Sequence, residues 1–129
     1  MENNLHPTYG HGKICYLEIP ANDIIVSSDF YKKVFGWDIR DDQAGKVSFD
    51  DGVGEVSGTW VVGPKPSNGT GIIISIMVND IQESMDLIIA HGGIVLQRPV
   101  YSATEKYARF TDPFGNIFGL YQHFNLDVQ

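Results

Sequence analysis

The sequence predicts an α+β fold built from two βαβββ modules. The order of one strand, one helix and three strands occurs twice along the chain, and the helices of the two halves align without a gap. Asn22-Asp23-Ile24 aligns with Asn79-Asp80-Ile81. The same alignment places Gly36 on Gly93. Recurrence of a whole supersecondary unit is typical of an internal repeat.

The first module starts with a short strand over residues 14–19, which Pro20 closes. Asn22 or Asp23 is a suitable N-cap for the helix that follows, and Gly36 is a typical helix end. Two stretches rich in turn-forming residues, DDQAG and DDGVG, then separate three strands. These strands are predicted over residues 37–40, 46–49 and 56–62.

A linker rich in proline and glycine separates the two modules at residues 64–71. The second module repeats the order, with a helix between Asn79 and Gly93. Its strands are predicted over residues 72–78, 94–97, 106–111 and 116–122. We therefore expect a single domain, with module 1 over about residues 12–63 and module 2 over about residues 72–122.

Composition and charge exclude several classes of partner. The 129 residues carry 9 Lys and Arg against 16 Asp and Glu, a net charge of −7, and they form no basic cluster. Nucleic acid and anionic membranes are therefore not expected as partners. Cys15 is the single cysteine, which excludes an intramolecular disulfide and fits a reducing compartment. Without an apolar run of ~20 residues or a signal-peptide pattern, we expect a cytoplasmic protein.

Three segments resemble a known family over about residues 12–122. They are Ser28-Asp29-Phe30-Tyr31 with Phe35-Gly36-Trp37, the stretch from Val78-Asn79-Asp80 to His91-Gly92-Gly93, and Asp112-Pro113-Phe114-Gly115-Asn116. In these segments the chain resembles the vicinal-oxygen-chelate superfamily, which includes glyoxalase I, extradiol dioxygenases, bleomycin-resistance proteins and fosfomycin-resistance enzymes. The resemblance implies sheets that curl around a shared cavity and, by analogy, a homodimer. It leaves the function open, because one scaffold hosts several activities.

Alternation along the first strand of each module predicts which side chains face this cavity. Cys15, Leu17 and Ile19 are all apolar, so they should face the helix and be buried. In the strand over 72–78, the even-numbered residues are all apolar, so they should also face the helix and be buried. The opposite faces then present the following side chains to the cavity: Tyr16, Glu18, Ile73, Ser75 and Met77.

The resemblance also implies where a divalent metal would bind, with one ligand from the first strand and one from the last strand of each module. Counting from the helix-opening Asp residues gives Tyr16 and Ile73, and counting from the turn glycine Gly115 gives Gly119. The internal repeat gives Gly58 as the counterpart of Gly119. Only the tyrosine offers a donor atom, whereas such ions need several converging donors. We therefore expect no bound metal and no other cofactor. If the alignment of the last strand of module 1 is wrong by one residue, Ser57 or Thr59 takes the position of Gly58.

Each of the two glycines precedes a large aromatic residue by two positions. If Gly58 and Gly119 face the cavity, Trp60 and Tyr121 face it too, because residues i and i+2 share a strand face. We expect these aromatic side chains to bind a small, flat or hydrophobic organic molecule. The alternative is that they fill the protein core.

Alternation over residues 105–111 separates Tyr107, Arg109 and Thr111 from Ala108 and Phe110. It does not decide which set faces the cavity. If Arg109 does, it is a suitable partner for a carboxylate or phosphate group of the ligand.

These observations predict a metal-independent small-molecule-binding protein of the glyoxalase/bleomycin-resistance type. The alternative is a glyoxalase-like lyase or isomerase, or a dioxygenase-like enzyme, that uses Glu18 and Tyr16 as catalytic residues or a non-standard metal site. Convergence of two or more of Glu18, Glu55 and the histidines would favour the enzyme. His6 belongs to an N-terminal arm that we expect to be disordered.

Overall fold

The computed structural model describes the following residues: 6–11, 14–63 and 73–123. The predicted linker at 64–71 lies outside them. The chain divides into two compact units, Met1–Pro64 and Lys65–Gln129, which we call module 1 and module 2. Each module has the element order βαβββ, which confirms the predicted α+β fold class. Over the described ranges, no helix is long and apolar enough to cross a membrane.

Module 1 is a four-stranded mixed sheet with one helix. Its elements are β1 (Tyr16–Pro20), α1 (Ile24–Phe35), β2 (Asp38–Asp41), β3 (Val47–Asp50) and β4 (Ser57–Val61). The strand order is β1-β4-β3-β2, in which β1 runs parallel to β4 and the other neighbours are antiparallel.

Local sequence signals set both ends of α1. The Asp23 carboxylate accepts a hydrogen bond from the Val26 amide at 3.1 Å, as an N-cap residue does. Gly36 ends the helix with a φ of 72°, a left-handed conformation that glycine adopts without strain. The Gly36 amide donates to the Lys32 carbonyl, which the end of the helix would otherwise leave without a partner. Both ends are where the sequence predicts them.

An aromatic cluster forms the core of module 1 between α1 and the sheet. Tyr31 of α1 stacks on Trp37 with 4.6 Å between ring centroids, and Trp37 stacks on Phe49 of β3 at 4.4 Å. The Trp60 ring of β4 lies 5.0 Å from the Phe49 ring. Buried aromatic rings contribute large apolar areas, so this cluster stabilises the contact between helix and sheet.

Module 2 repeats the architecture. Its elements are β5 (Ser75–Met77), α2 (Ile81–Ala90), β6 (Ile94–Tyr101), β7 (Glu105–Thr111) and β8 (Ile117–His123). The strand order is β5-β8-β7-β6, with β5 parallel to β8. β6 extends four residues beyond the predicted 94–97, through Pro99. This extension is possible because β6 is an edge strand, where a proline need not donate to a neighbour.

Asp80 caps α2 as Asp23 caps α1. Its carboxylate accepts a hydrogen bond from the Glu83 amide at 3.0 Å. Gln122 of β8 adds a second acceptor, because its Oε1 lies 2.8 Å from the Ile81 amide. The start of α2 is thereby tied to the last strand of its own sheet.

The turns before β4 and β8 share a hydrogen-bond pattern but differ in length. The amide of each turn glycine, Gly54 or Gly115, donates to the aspartate carbonyl three residues earlier, and φ is 76° and 90° at the two glycines. The Asp51 amide then pairs with the Val56 carbonyl, five residues on. The Asp112 amide pairs with a carbonyl only four residues on. The turn of module 1 is therefore one residue longer.

Candidate functional site

Each sheet has a helix face, which packs on its own helix, and an opposite face that we call the far face. In module 2 the helix face carries the buried side chains of Ala108, Phe110, Phe118 and Leu120. Alternation then places the intervening residues on the far face. They include four of the predicted site residues: Ser75, Met77, Arg109 and Tyr121. Of the two sets over residues 105–111, Tyr107 and Arg109 therefore lie on the far face, and Ala108 and Phe110 lie on the helix face.

Strand pairing arranges the far face of module 2 in rows that cross the sheet. One row is polar and consists of Gln97, Arg109, Gly119 and Ser75. The next row is apolar and aromatic and consists of Val100, Tyr107, Tyr121 and Met77. Directly paired residues on one sheet face have neighbouring side chains, so the two rows form a continuous surface. We call this surface the Arg109 face.

The Arg109 face is open along most of its length. Met77 is 71% exposed and Tyr107 is 42% exposed, whereas Tyr121 is half-buried. The Arg109 side chain is exposed and makes no hydrogen bond or ion pair with the described residues. Ile73, which we also predicted in the site, is half-buried and lies outside β5, two residues before Ser75.

Tyr121 is held by two polar side chains that sequence reasoning missed. Its hydroxyl lies 3.2 Å from His123 Nδ1. A hydrogen bond from the Tyr121 hydroxyl to the Glu105 carboxylate raises the pKa of Tyr121 above its ordinary value. Glu105 and His123 are paired across β7 and β8, one step beyond Tyr107 and Tyr121. Alternation in the two strands is the signal that could have found them.

Trp60 does not lie on the far face of module 1, contrary to prediction. The side chain is only 4% exposed and packs against Phe49 and Tyr31 on the helix face. Gly58 lies on the helix face as well, because a Cβ there would meet the Phe49 ring at 2.5 Å. In module 1, these observations favour the alternative in which the aromatic residues fill the core.

The longer turn of module 1 explains this error. Pairing matches Glu18 with Thr59 in module 1 and Ser75 with Gly119 in module 2. Glu18 and Ser75 correspond in the internal repeat, so Gly119 corresponds to Thr59 and not to Gly58. A one-residue shift exchanges the two faces of a strand. Trp60 therefore corresponds to Leu120, and both are buried.

The far face of module 1 is polar. Tyr16 and Glu18 both lie there and are exposed, as predicted from alternation. On neighbouring strands, Asp50 accepts a hydrogen bond from Ser57 Oγ at 2.7 Å and forms an ion pair with Arg40 at 2.9 Å. This face therefore lacks the aromatic surface of the Arg109 face.

Two further expectations for module 1 are wrong. Cys15 is exposed: it lies one residue before β1, although its carbonyl accepts a hydrogen bond from the Ser57 amide at 3.1 Å. His6 is held in place, since its Nδ1 lies 2.7 Å from Glu55 Oε2. The Glu55 carboxylate also accepts bonds from the Thr8 amide and hydroxyl, at 3.0 and 3.1 Å. His6 and Glu55 thus converge, which is the condition stated above for favouring an enzyme. Glu18 does not join them, and the Glu55 carboxylate also binds Thr8.

The fold and the motifs agree with a family model. The model of the Glyoxalase/Bleomycin resistance protein/Dioxygenase superfamily matches residues 13–120. The chain belongs to this superfamily. A comparison with curated proteins finds no match.

Solved structures of superfamily members share the fold. TnmS3, an antibiotic binding protein from Streptomyces sp. CB03234, is 23% identical with a TM-score of 0.69, covering 92% of this chain and 99% of that chain. The fosfomycin resistance protein FosX from Mesorhizobium loti is 14% identical with a TM-score of 0.68, covering 88% and 93%. A glyoxalase/bleomycin resistance protein/dioxygenase family enzyme from Burkholderia phytofirmans PsJN is 17% identical with a TM-score of 0.68, covering 83% and 95%. At these identities the likeness shows the fold alone.

The residues at the superfamily's metal positions do not fit a divalent ion. Gly58, Ile73 and Gly119 have no donor atom in their side chains. At Gly119 even a Cβ would lie 2.5 Å from Ser75 Oγ, so the site has no room for a longer ligand side chain without rearrangement. Thr59, which the corrected register brings to the position in module 1, donates its hydroxyl to the Val47 carbonyl at 2.6 Å. Across residues 6–11, 14–63 and 73–123, no three His, Cys, Asp or Glu side chains cluster as metal ligands would.

Proposed function

We propose that this superfamily member is a metal-independent binding protein for a small, partly aromatic or hydrophobic molecule. The Arg109 face of module 2 is the proposed binding surface. The observation that carries the proposal is the row of Tyr107, Tyr121 and Met77, three large side chains that share one face and remain accessible. Contiguous exposed apolar patches mark ligand-binding grooves or interaction sites.

Two features of this row suit a flat ligand. Tyrosine rings stack on aromatic molecules while their hydroxyls keep contact with water, and methionine adapts to irregular apolar shapes. The Tyr121 hydroxyl also lies within hydrogen-bond distance of His123, so less side-chain entropy is lost when a ligand stacks on the ring. The antibiotic-binding activity in the name of TnmS3, which has the same fold, supports a binding role.

Metal independence is proposed from the donor set. A catalytic metal of this superfamily needs converging nitrogen or carboxylate donors. Ile73 and Gly119 supply none, and Thr59 donates its hydroxyl to the Val47 carbonyl. We also propose a cytoplasmic homodimer, on the resemblance to the family alone. Light scattering at micromolar concentration tests the dimer, and a monomer there would contradict it.

Binding of a neutral fluorescent probe, phenylnaphthylamine, tests the proposed surface. We expect Tyr121→Ala and Met77→Ala each to weaken binding by roughly tenfold, the effect of losing a buried ring or thioether contact. Tyr101→Ala is the matched control, because Tyr101 is an exposed tyrosine of the same sheet that stacks with Lys106. Equal losses in all three variants, or none in the first two, would contradict the proposal.

A second candidate function is a lyase or isomerase of the same superfamily that uses Glu18 and Tyr16. The observation that favours it is their position on one exposed far face, two residues apart. Glu18→Gln distinguishes the two candidates. If the protein only binds its ligand, Glu18→Gln leaves the probe affinity unchanged, and there is no turnover to lose. If it is an enzyme of this type, Glu18→Gln abolishes turnover, because the reaction requires the carboxylate.

A further inference from the structure

We propose that the ligand of the Arg109 face is an aromatic anion, whose carboxylate, phosphate or sulfonate group binds the Arg109 guanidinium. The inference rests on the proposed function and adds the chemical class of the ligand. It starts from an arginine that lies in the middle of a largely apolar sheet face and has no partner among the described residues.

The polar row positions Arg109 for binding an anion. On one side its strand neighbour is Gln97, and on the other it is Gly119. Because Gly119 has no side chain, nothing from β8 covers the guanidinium at this level of the sheet. The next residue along the row is Ser75, which is exposed and offers a hydroxyl. Arginine, glutamine and serine together supply several hydrogen-bond donors towards one anionic group.

Apolar rows flank the polar row on both sides. The row of Val100, Tyr107, Tyr121 and Met77 lies on one side. Ile94, which is 60% exposed, lies on the other side, in a row with Thr111 and Ile117. An aromatic body covering either row would exclude water from the guanidinium and strengthen its bond to the anion.

Charge on the same face favours an anion over a cation. Glu105 pairs with His123, two rows away from the row of Arg109 and Gly119. Among the far-face positions of β7 and β8 that the structure describes, Arg109 is the only lysine or arginine, so an anionic group placed in its row meets a positive charge.

A pair of probes that differ in one group tests the inference. Anilinonaphthalene sulfonate carries a sulfonate on the same aromatic body as the neutral phenylnaphthylamine. We expect Arg109→Gln to weaken binding of the sulfonate probe by about tenfold to a hundredfold, the loss of a charge-assisted hydrogen bond. Binding of the neutral probe should stay within about twofold, which also shows that the variant is folded.

Arg98→Gln is the matched control, because it removes the same charge from an exposed residue of the edge strand β6. It should leave both affinities unchanged. Equal effects of Arg98→Gln and Arg109→Gln on the sulfonate probe would overturn the inference, since they would show only a general charge effect. Arg109→Lys should recover part of the affinity, because it restores the charge without the planar guanidinium.

The outcomes separate the two proposals. If the neutral probe binds through Tyr121 but Arg109→Gln does not change binding of the sulfonate probe, the inference fails and the proposed function stands. If neither probe binds the wild-type protein, both fail. Displacement of the sulfonate probe by naphthoate or by naphthyl phosphate then distinguishes a carboxylate ligand from a phosphate ligand. Failure of both to compete in an Arg109-dependent way would overturn the inference.

Discussion

Gly119 lies directly opposite Arg109 in the antiparallel pairing of β7 with β8. On its other side Gly119 is paired with Ser75, whose Oγ would be 2.5 Å from a Cβ at this position. The glycine thus does not face an empty space in its own sheet. It lets a serine hydroxyl lie close to the strand beside an arginine.

We expect Gly119→Ala to cost about 1 kcal/mol of unfolding free energy, because the clash is with a single hydroxyl that can rotate away. Ser75→Gly in the same chain should recover most of this loss, and urea unfolding of both single variants and the double variant measures the coupling. Gly58→Ala should cost more, about 2–3 kcal/mol, because its Cβ would meet the Leu17 carbonyl and the Phe49 ring, neither of which can move. Equal costs at the two glycines would contradict this account.

Asp112→Ala should destabilise module 2 by on the order of 3 kcal/mol, because its buried carboxylate accepts several bonds at once. Asp112 is 1% exposed and accepts from the Phe114 and Asn116 amides at 2.9 Å and from Asn116 Nδ2 at 2.8 Å. Asp51→Ala, at the corresponding turn, serves as the comparison. There the side chain accepts from the Glu55 amide at 2.8 Å, so the loss in the urea midpoint should be smaller.

Glu55→Gln should remove an acid-sensitive part of the stability of module 1. The Thr8 amide, followed by the His6 side chain, holds the pKa of Glu55 below its ordinary value of 4.5. A lowered folded-state pKa stabilises the fold above the ordinary value, and this contribution is lost as the pH falls below 4.5 through the folded value. The urea midpoints of wild type and variant should therefore converge in acid. A difference between the two urea midpoints that stays constant over the whole pH range would show that the ionised carboxylate contributes nothing to stability.

Trp60→Phe should leave the affinity for phenylnaphthylamine within about twofold of wild type, because Trp60 lies on the helix face. Its Nε1 is buried without a hydrogen-bond partner in the described part of the chain, so the change removes no hydrogen bond. The free energy of unfolding should fall by about 1–2 kcal/mol, because the smaller phenylalanine ring fills less of the aromatic core. Loss of probe binding at unchanged stability would restore Trp60 to the ligand surface.

Local signals made the fold predictable. Asp23, Asp80 and Gly36 determine helix ends through hydrogen bonds and a backbone conformation within a few residues, and these signals are visible in sequence. The repeat of the whole unit then indicated the two modules. The predicted strand ends at residue 97, whereas β6 continues through Pro99, which an edge strand tolerates.

The site was only partly predictable, because it depends on pairing between distant residues. Alternation correctly grouped Ser75 with Met77 and Gly119 with Tyr121, but whether Arg109 joins them depends on how β7 pairs with β8. Trp60 was misplaced by one residue of turn length. The sequence allowed for a slip of one residue, to Ser57 or Thr59, but did not decide it, since both turns begin with an aspartate and contain a glycine three residues later.

The extra residue in the turn between Asp51 and Val56 has a consequence for how such a duplicated chain can diverge. A single codon inserted in a surface turn exchanges the two sides of a whole strand while the strand keeps its place in the sheet. One copy of a repeated unit could thereby acquire a polar surface and the other an aromatic one, with no substitution in either strand. In this protein, the longer turn places Trp60 on the helix face of module 1, whereas Tyr121 lies on the far face of module 2.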